Sequence, residues 1–397
     1  MSACYFAVVN RSFPSPHLVE TPPVTIPQLR FVRTTLPLVF TLLSLAIATA
    51  EEPSKVPTDN GVTRSFQRLA DTLKPDLAWD AKTPAEHQAW RDKMQPTIVG
   101  LLGKMPERVP LEVEWAEEEK FDKFTRYKIY VRTEPNYWAP VYYFVPHERK
   151  AKTPAMICLH GHSGIDPYIR LNETPAQKTK TDEHALDYAL YMAEHGYVTA
   201  AMVVRGWNET CGRQDRAVKS PPRSCHEMSM NAFLLGMTPQ GIRCWDAMRV
   251  VDFLQTRDEV DPDKIGVCGL SGGGTLTMYL PILDERIKLA MIAGAFSEYR
   301  TSIYSIDHCI CNCLPGVMRH GEMADVVALF APRPVLLING VDDPIFPIDG
   351  AREGLGKLKE VYGVLGCPEN VDADFFAGGH SWSNNKTLRF LQEHFGE

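Results

Sequence analysis

Short apolar β-type runs alternate with helical segments over residues 121–397, and this alternation is the strongest constraint on the fold. Several of these runs are continuously apolar, as strands buried on both faces should be. The predicted strands are Tyr127–Val131, Val141–Val145, Ala155–His160, Tyr197–Val204, Lys264–Leu270, Leu289–Ala293, Val335–Gly340 and Asp372–Phe376. The predicted intervening helices are His184–His195, Pro239–Thr256, Thr275–Leu283, Arg352–Leu365 and Asn385–Phe395. The pattern predicts an α/β fold with a doubly wound, mostly parallel sheet and helices on both faces.

Residues 51–120 have a different character. They are polar, with helical patterns at Ser65–Leu73 and Pro84–Leu102 and no alternating strand pattern before Phe121. The sequence therefore predicts three parts: a leader over 1–50, a helical N-terminal extension over 51–120 and an α/β domain over 121–397.

The leader contains a 15-residue apolar stretch, Leu36–Ala50, that follows Arg30 and Arg33 and ends in the small-x-small pattern of Ala48-Thr49-Ala50. This arrangement is typical of a secretory signal. A membrane-spanning helix needs about 20 apolar residues, so cleavage near Ala50 is favoured over an uncleaved anchor. We expect an exported protein, periplasmic or extracellular, with no stable membrane span.

The charge balance of the chain excludes one class of partner. Lys and Arg total 42 against 49 Asp and Glu, a net charge of −7, so nucleic acid is not an expected partner.

The cysteines indicate little about disulfides or metals. Ten cysteines are too few for a disulfide scaffold. A bridge between Cys211 and Cys225 is one possibility. Cys309, Cys311 and Cys313 would share one face of an extended segment, but their spacing is not the usual C-x2-C of zinc sites. Packed or partly paired cysteines without a metal are the expectation.

The strand Lys264–Leu270 runs into Gly269-Leu270-Ser271-Gly272-Gly273, a G-x-S-x-G pattern between a strand and a helix. A serine on such a sharp turn needs neighbours without side chains, and its hydroxyl then projects beyond the sheet edge. The start of the helix also offers the backbone N–H of Gly272 to a developing oxyanion. The pattern predicts that Ser271 is a nucleophile.

A serine nucleophile needs a histidine base, which a carboxylate holds in one tautomer. The strand Val335–Gly340 leads to Asp342 and Asp343, and the last strand leads to His380 in a glycine turn. The predicted triad is Ser271, Asp343 and His380, with Asp342 as the alternative acid.

The strand Ala155–His160 ends in the sequence HGHSG, residues 160–164. A loop at this position can supply the second oxyanion donor. The backbone N–H of His162 is the first candidate and that of Gly161 the second, whereas the His162 side chain is expected to lie at the rim of the site.

These motifs resemble those of the α/β-hydrolase superfamily, in particular its dienelactone-hydrolase-like and acetyl xylan esterase-like branch. The resemblance covers about residues 121–397 and includes the HGHSG loop, the GLSGGG turn, the Ala331–Pro334 and Gly340–Pro347 segments and the GGHSW turn. It implies an eight-stranded sheet and a triad that works without a metal or organic cofactor. Dienelactone hydrolases have a cysteine nucleophile, and glucuronoyl esterases have an arginine beside the serine; this chain has neither.

Three further residues are candidates for substrate binding. Arg205 and Trp207 follow the strand Tyr197–Val204, and Trp382 follows His380. Arg205 could bind a carboxylate or pair with a structural acid. Either tryptophan could stack on a sugar ring, although a buried core position is equally expected for Trp207. The insertion Tyr299–Met323 is predicted to form part of a lid.

Together these features favour a secreted serine carboxylic ester hydrolase that cleaves short-chain esters, with O-acetyl groups of carbohydrates as the expected substrates. A peptidase of the prolyl oligopeptidase type is an alternative, but residues 51–120 are too short for a β-propeller. A non-catalytic binding protein on the same fold is the other alternative, although it would not need all three triad residues.

Overall fold

A computed structural model of the chain describes residues 61–171, 173–219 and 221–396. The predicted signal segment Leu36–Ala50 and its cleavage site lie outside the described residues. Within the described ranges, no helix is both long enough and apolar enough to cross a membrane.

The centre of the molecule is one mixed β-sheet, and the described residues contribute nine strands to it. The strands are β1 (Val113–Lys120), β2 (Phe124–Glu134), β3 (Tyr137–Pro146), β4 (Thr153–Leu159), β5 (Val198–Met202), β6 (Val260–Leu270), β7 (Ile287–Ala293), β8 (Val335–Gly340) and β9 (Val371–Phe376). Their order in the sheet is β1-β2-β3-β5-β4-β6-β7-β8-β9. The first three pairings are antiparallel, and the six strands from β5 to β9 in this order pair in parallel.

The sheet corrects one prediction. All eight predicted strands are present as β2–β9, but the sheet has a ninth strand, β1, before Phe121. β1 pairs with β2 at the sheet edge, and all of its residues after Val113 are exposed. A solvated strand of glutamates has no buried face, so it lacks the apolar pattern from which strands are predicted.

Eleven α-helices are present in the described residues. They are α1 (Val62–Thr72), α2 (Pro84–Leu102), α3 (Pro175–His184), α4 (Tyr188–Glu194), α5 (Arg213–Val218), α6 (Cys225–Leu234), α7 (Pro239–Leu254), α8 (Gly272–Leu283), α9 (Met323–Ala328), α10 (Ile348–Val364) and α11 (Thr387–Phe395). The predicted helix Pro84–Leu102 matches α2, which begins with a capping box between Thr83 and Glu86. The apolar side of α2, which includes Met94 and Ile98, packs into the main core.

Successive residues of the central strands pack into different cores. In β4, Ile157 and Leu159 belong to one apolar cluster, and Met156 and Cys158 belong to the other. Because side chains alternate across a strand, these clusters lie on opposite faces of the sheet. Strands β4, β6 and β8 belong to the parallel part of the sheet, so their carboxyl ends lie at the same sheet edge. This edge lies between the two packed layers.

Candidate active site

Ser271 occupies a tight turn between β6 and α8. It is the N-cap residue of α8 and has φ +60° and ψ −120°, a conformation that costs a non-glycine residue about 1–3 kcal/mol. The turn is possible because its flanking residues are glycines. A Cβ on Gly269 would lie 2.4 Å from the backbone of Gly273, and a Cβ on Gly273 would lie 1.8 Å from the carbonyl oxygen of Leu159.

His380 and Asp343 are joined by a hydrogen bond of 2.7 Å between Nδ1 of the imidazole and Oδ2 of the carboxylate. The Asp343 side chain is fully buried, and its Oδ1 accepts hydrogen bonds from the backbone N–H groups of Ile345 (2.8 Å) and Phe346 (3.2 Å). Asp342, the alternative acid, is exposed. The carboxylate that meets His380 is therefore that of Asp343.

Ser271 and His380 line the same cleft, whose volume is about 300 Å³. The remaining lining residues combine aliphatic, aromatic and ionisable side chains. They are His162, Ser163, Tyr168, Lys180, His184, Leu186, Leu270, Ile306, Asp307, His308, Cys309 and Ile345.

The HGHSG loop lies directly against Ser271. A Cβ on Gly161 would lie 3.0 Å from the Cβ of Ser271, and a Cβ on Gly272 would lie 3.0 Å from the imidazole of His162. Gly272 is the first residue of α8, so its N–H lies in the turn where helical N–H groups have no acceptor within the helix. The N–H of Gly161, the second candidate for the oxyanion donor of this loop, instead donates to the hydroxyl of Tyr168 at 3.0 Å. Gly161 is thus not available for that role.

His160 has a structural position at the base of this loop. Its Nδ1 donates to the carbonyl of Gly161 (2.8 Å), and its Nε2 accepts from the N–H of Val204 (2.9 Å). Burial lowers the pKa of His160 to about 3, so the imidazole is neutral at ordinary pH. The ring joins the HGHSG loop to the end of β5.

The structure places Arg205 among structural acids, the second of the two roles expected for it. Its guanidinium pairs with the carboxylates of Asp246 and Glu134 and stacks on the ring of Tyr137, 3.6 Å from its centroid. Arg205 does not line the cleft described above. Of the two roles considered for it, pairing with structural acids is the one observed.

Both tryptophans are buried, which for Trp207 is one of the two positions expected from the sequence. Trp207 and Trp382 are each only 2% exposed. The indole of Trp207 packs against the His160 and His162 rings, and that of Trp382 stacks on Tyr188 with 4.2 Å between ring centroids. Neither ring has an open face for a sugar, because both complete the core beneath the site.

Several cleft residues were not identified from the sequence. Lys180 and His184 come from α3, a polar helix with no apolar stripe that would have marked it. Residues 306–309 come from the insertion that the sequence predicted as part of a lid, and they do form one wall of the cleft. Burial lowers the pKa of His308 in this wall.

The cysteines are packed without disulfides in the described part of the chain, so the bridge considered between Cys211 and Cys225 is not formed. The segment with Cys309 and Cys311 is also not extended. Residues 310–312 form a 3₁₀ turn, which brings the two sulfur atoms within 3.3 Å of each other.

Comparison with known proteins agrees with this architecture. Residues 58–381 match the model of a family described as the Abhydrolase family, and the chain belongs to that family. YtaP of Bacillus subtilis (strain 168), assigned as a hydrolase, is 26% identical over 313 residues, which cover 76% of this chain and 99% of YtaP.

Two solved structures show the same fold at low sequence identity. BF1801 of Bacteroides fragilis NCTC 9343, assigned as an acetyl xylan esterase, is 18% identical, with a TM-score of 0.67 over 80% of this chain and 83% of BF1801. A glucuronoyl esterase from Solibacter usitatus is 17% identical, with a TM-score of 0.60 over 81% of this chain and 96% of that protein. The chain therefore has the α/β-hydrolase fold.

Proposed function

We propose that this protein is a serine carboxylic ester hydrolase that forms an acyl-enzyme on Ser271. The observation that carries the proposal is the 2.7 Å hydrogen bond between Asp343 and His380 beside the cleft that Ser271 and His380 share. His380 is the base and Asp343 the orienting acid that a serine nucleophile requires.

Each proposed role follows from the position of a group. Asp343 holds the proton on Nδ1 of His380, which leaves Nε2 free to accept the proton of the Ser271 hydroxyl as Oγ attacks the ester carbonyl. The N–H groups of Gly272 and His162 stabilise the oxyanion. His380 then donates its proton to the leaving alcohol. In the second half of the reaction it activates a water molecule, which releases the acid from Ser271.

For the substrate we propose a short-chain ester, with an O-acetyl group on a carbohydrate as the leading candidate. The cleft of about 300 Å³ is near the small end of the range of ligand sites. Leu186, Leu270 and Ile306 give it apolar walls suited to a small acyl group. The assignment of BF1801 as an acetyl xylan esterase supports the same class of substrate. The buried tryptophans give no support, so recognition of the sugar would depend on polar groups such as Lys180 and His184.

The proposal is tested by comparing two serines of the same cleft. Ser271→Ala should lower kcat for an acetate ester by about 10⁴- to 10⁶-fold, because the triad acts as a unit. Ser163→Ala removes a hydroxyl from the cleft wall and should retain activity within about tenfold. Circular dichroism checks that both variants fold. Full activity in Ser271→Ala, or loss of activity only in Ser163→Ala, would exclude the proposed nucleophile.

A further inference from the structure

Four side chains of metal-ligand type converge next to the cleft: His162, Cys225, Cys309 and Cys311. One imidazole nitrogen and three sulfur atoms all lie within 4.8 Å of one another. The Sγ atom of Cys311 lies 3.3 Å from Cys309 Sγ and 3.4 Å from His162 Nε2. The ligands come from three separate segments: the loop after β4, the first turn of α6, and the 3₁₀ turn at residues 310–312 with its N-cap residue Cys309.

The spacing of these atoms suits a tetrahedral zinc ion. With Zn–S bonds of about 2.3 Å and Zn–N bonds of about 2.0–2.1 Å, the ligand atoms of such a site are roughly 3.5–3.8 Å apart. Two separations in the cluster are 3.3 and 3.4 Å, slightly shorter than this range, and none exceeds 4.8 Å. Shifts of a few tenths of an ångström to about 1 Å in side-chain positions would therefore complete the coordination sphere.

The charge around the cluster agrees with thiolate ligands. The guanidinium of Arg243 is buried, and its Nη2 lies 3.9 Å from the sulfur of Cys225. Its Nε donates to the carbonyl oxygen of Arg205 at 3.0 Å. No carboxylate in the described part of the chain forms an ion pair with Arg243. A buried cation needs an anionic partner. Three thiolates, one neutral imidazole and Zn²⁺ have a net charge of −1, which Arg243 would neutralise.

We propose that His162, Cys225, Cys309 and Cys311 bind one Zn²⁺ ion in a structural site. Four protein ligands fill a tetrahedral coordination sphere and leave no position for water or substrate. Cys225 and Cys311 are buried, and His162 and Cys309 are half-buried, so the ion would be shielded from solvent. This proposal replaces the sequence-based expectation of packed thiols without a metal.

The zinc ion would restrain the positions of two segments that border the cleft. His162 would bind the ion through Nε2 while its ring packs beside Gly272 at the start of α8. Cys309 belongs to the cleft wall. Zinc would therefore fix to α6 both the loop of the proposed oxyanion donor and the cleft wall that contains Cys309. The effect on turnover rests on the proposed function, whereas zinc binding itself does not. His162 would be a positioning residue through its imidazole.

The test is the metal content of the purified full-length chain, produced in zinc-supplemented medium and handled with a non-thiol reductant. Inductively coupled plasma mass spectrometry should find about one zinc per chain. Cys225→Ser and Cys311→Ser should retain less than about a tenth of this amount. Cys313→Ser is the matched control, because it removes a neighbouring thiol outside the cluster and should retain the zinc. Ser271→Ala should also retain it, which separates zinc binding from the esterase proposal.

A second measurement covers ligand variants that fail to fold. Wild-type protein in which zinc is exchanged for Co²⁺ should show the absorption bands of tetrahedral cobalt with thiolate ligands. Less than about a tenth of an equivalent of zinc in the wild type, or equal zinc in Cys311→Ser and Cys313→Ser, would overturn the proposal. A disulfide among Cys225, Cys309 and Cys311, found by peptide mapping of protein prepared without reductant, would overturn it as well.

Discussion

A carboxylate can only accept hydrogen bonds, so the bond between Asp343 and His380 must be donated by Nδ1 of the imidazole. Asp343→Asn can reverse this arrangement by donating its amide proton to Nδ1, which leaves Nε2 protonated and unable to act as a base. We expect Asp343→Asn to lower kcat by about 10⁴-fold. Asp342→Asn, the matched control, changes an exposed neighbour and should stay within about threefold of wild type. Steady-state kinetics on an acetate ester gives both values, and the reverse ranking would move the acid to Asp342.

The buried His160 predicts a specific dependence of stability on pH. Its pKa is about 3 in the folded protein, against about 6.5 in an unfolded chain. As the pH falls from about 6.5 towards 3, the unfolded chain takes up a proton that the folded chain does not. His160 should therefore reduce the free energy of unfolding by about 1.4 kcal/mol for each pH unit in that window, and have no such effect above it.

His160→Gln provides the comparison, because its amide oxygen can still accept from the N–H of Val204 while the side chain does not titrate. Urea unfolding of both proteins between pH 7 and pH 5 should show a shallower loss of stability in the variant. Parallel slopes in the two proteins would contradict a neutral, buried His160.

Among the elements of the fold, the turn from β6 to α8 has the strictest steric requirement. A Cβ on Gly273 would meet the carbonyl oxygen of Leu159 at 1.8 Å, so β4 and α8 would have to separate. Gly273→Ala should lower the free energy of unfolding by at least about 3 kcal/mol. Gly356→Ala, in α10, has open space around it and should raise stability by up to about 1 kcal/mol. Denaturant unfolding of the two variants measures both changes, and equal stabilities would contradict the packing described for the turn.

The same elements show which parts of the fold could be predicted. Strands β2–β9 were predictable because burial gives them apolar patterns, and the glycines around Ser271 marked the turn. Strand β1 was missed because its exposed glutamates carry no such pattern. Helices α3 and α6 have only weak amphipathic character, so the residues that they bring to the site had no sequence signal.

Site residues could be predicted from the sequence where a short motif marked them, but not where distant segments meet. Ser271, Asp343 and His380 each lie in a short motif at the end of a strand. The cluster of His162, Cys225, Cys309 and Cys311 combines distant segments, and the 3₁₀ turn that brings Cys309 and Cys311 together is not encoded in their spacing. Arg205 and Trp207 follow a strand as ligand-binding residues would, but partners from other elements hold them outside the cleft.

For the whole molecule, a small cleft predicts a preference for short acyl chains. We expect kcat/KM to fall from acetate to butanoate to octanoate esters, because added methylene groups must be accommodated by repacking that costs about 1–3 kcal/mol. A chromogenic ester series, followed by acetate release from acetylated xylan, measures this preference. A proline dipeptide anilide serves as the control substrate for peptidase activity. Preference for octanoate, or faster cleavage of the anilide, would exclude the proposed substrate class.

Export of the protein is a separate prediction, which rests on the Leu36–Ala50 segment. N-terminal sequencing of the protein recovered from its native host should start at or within a few residues of Glu51. Recovery of a cytoplasmic form that still begins at Met1 would contradict export and leave the proposed triad and the proposed zinc site unaffected.

The central claim is that Ser271 is the residue that becomes acylated, and covalent labelling tests it most directly. A fluorophosphonate probe reacts with a serine that an adjacent base has activated, so intact-mass analysis should show one adduct per chain. Peptide mapping should place the adduct on Ser271, and the Ser271→Ala and His380→Ala variants should remain unlabelled while Ser163→Ala is labelled like the wild type. An adduct on another residue, or undiminished labelling of Ser271→Ala, would contradict the account.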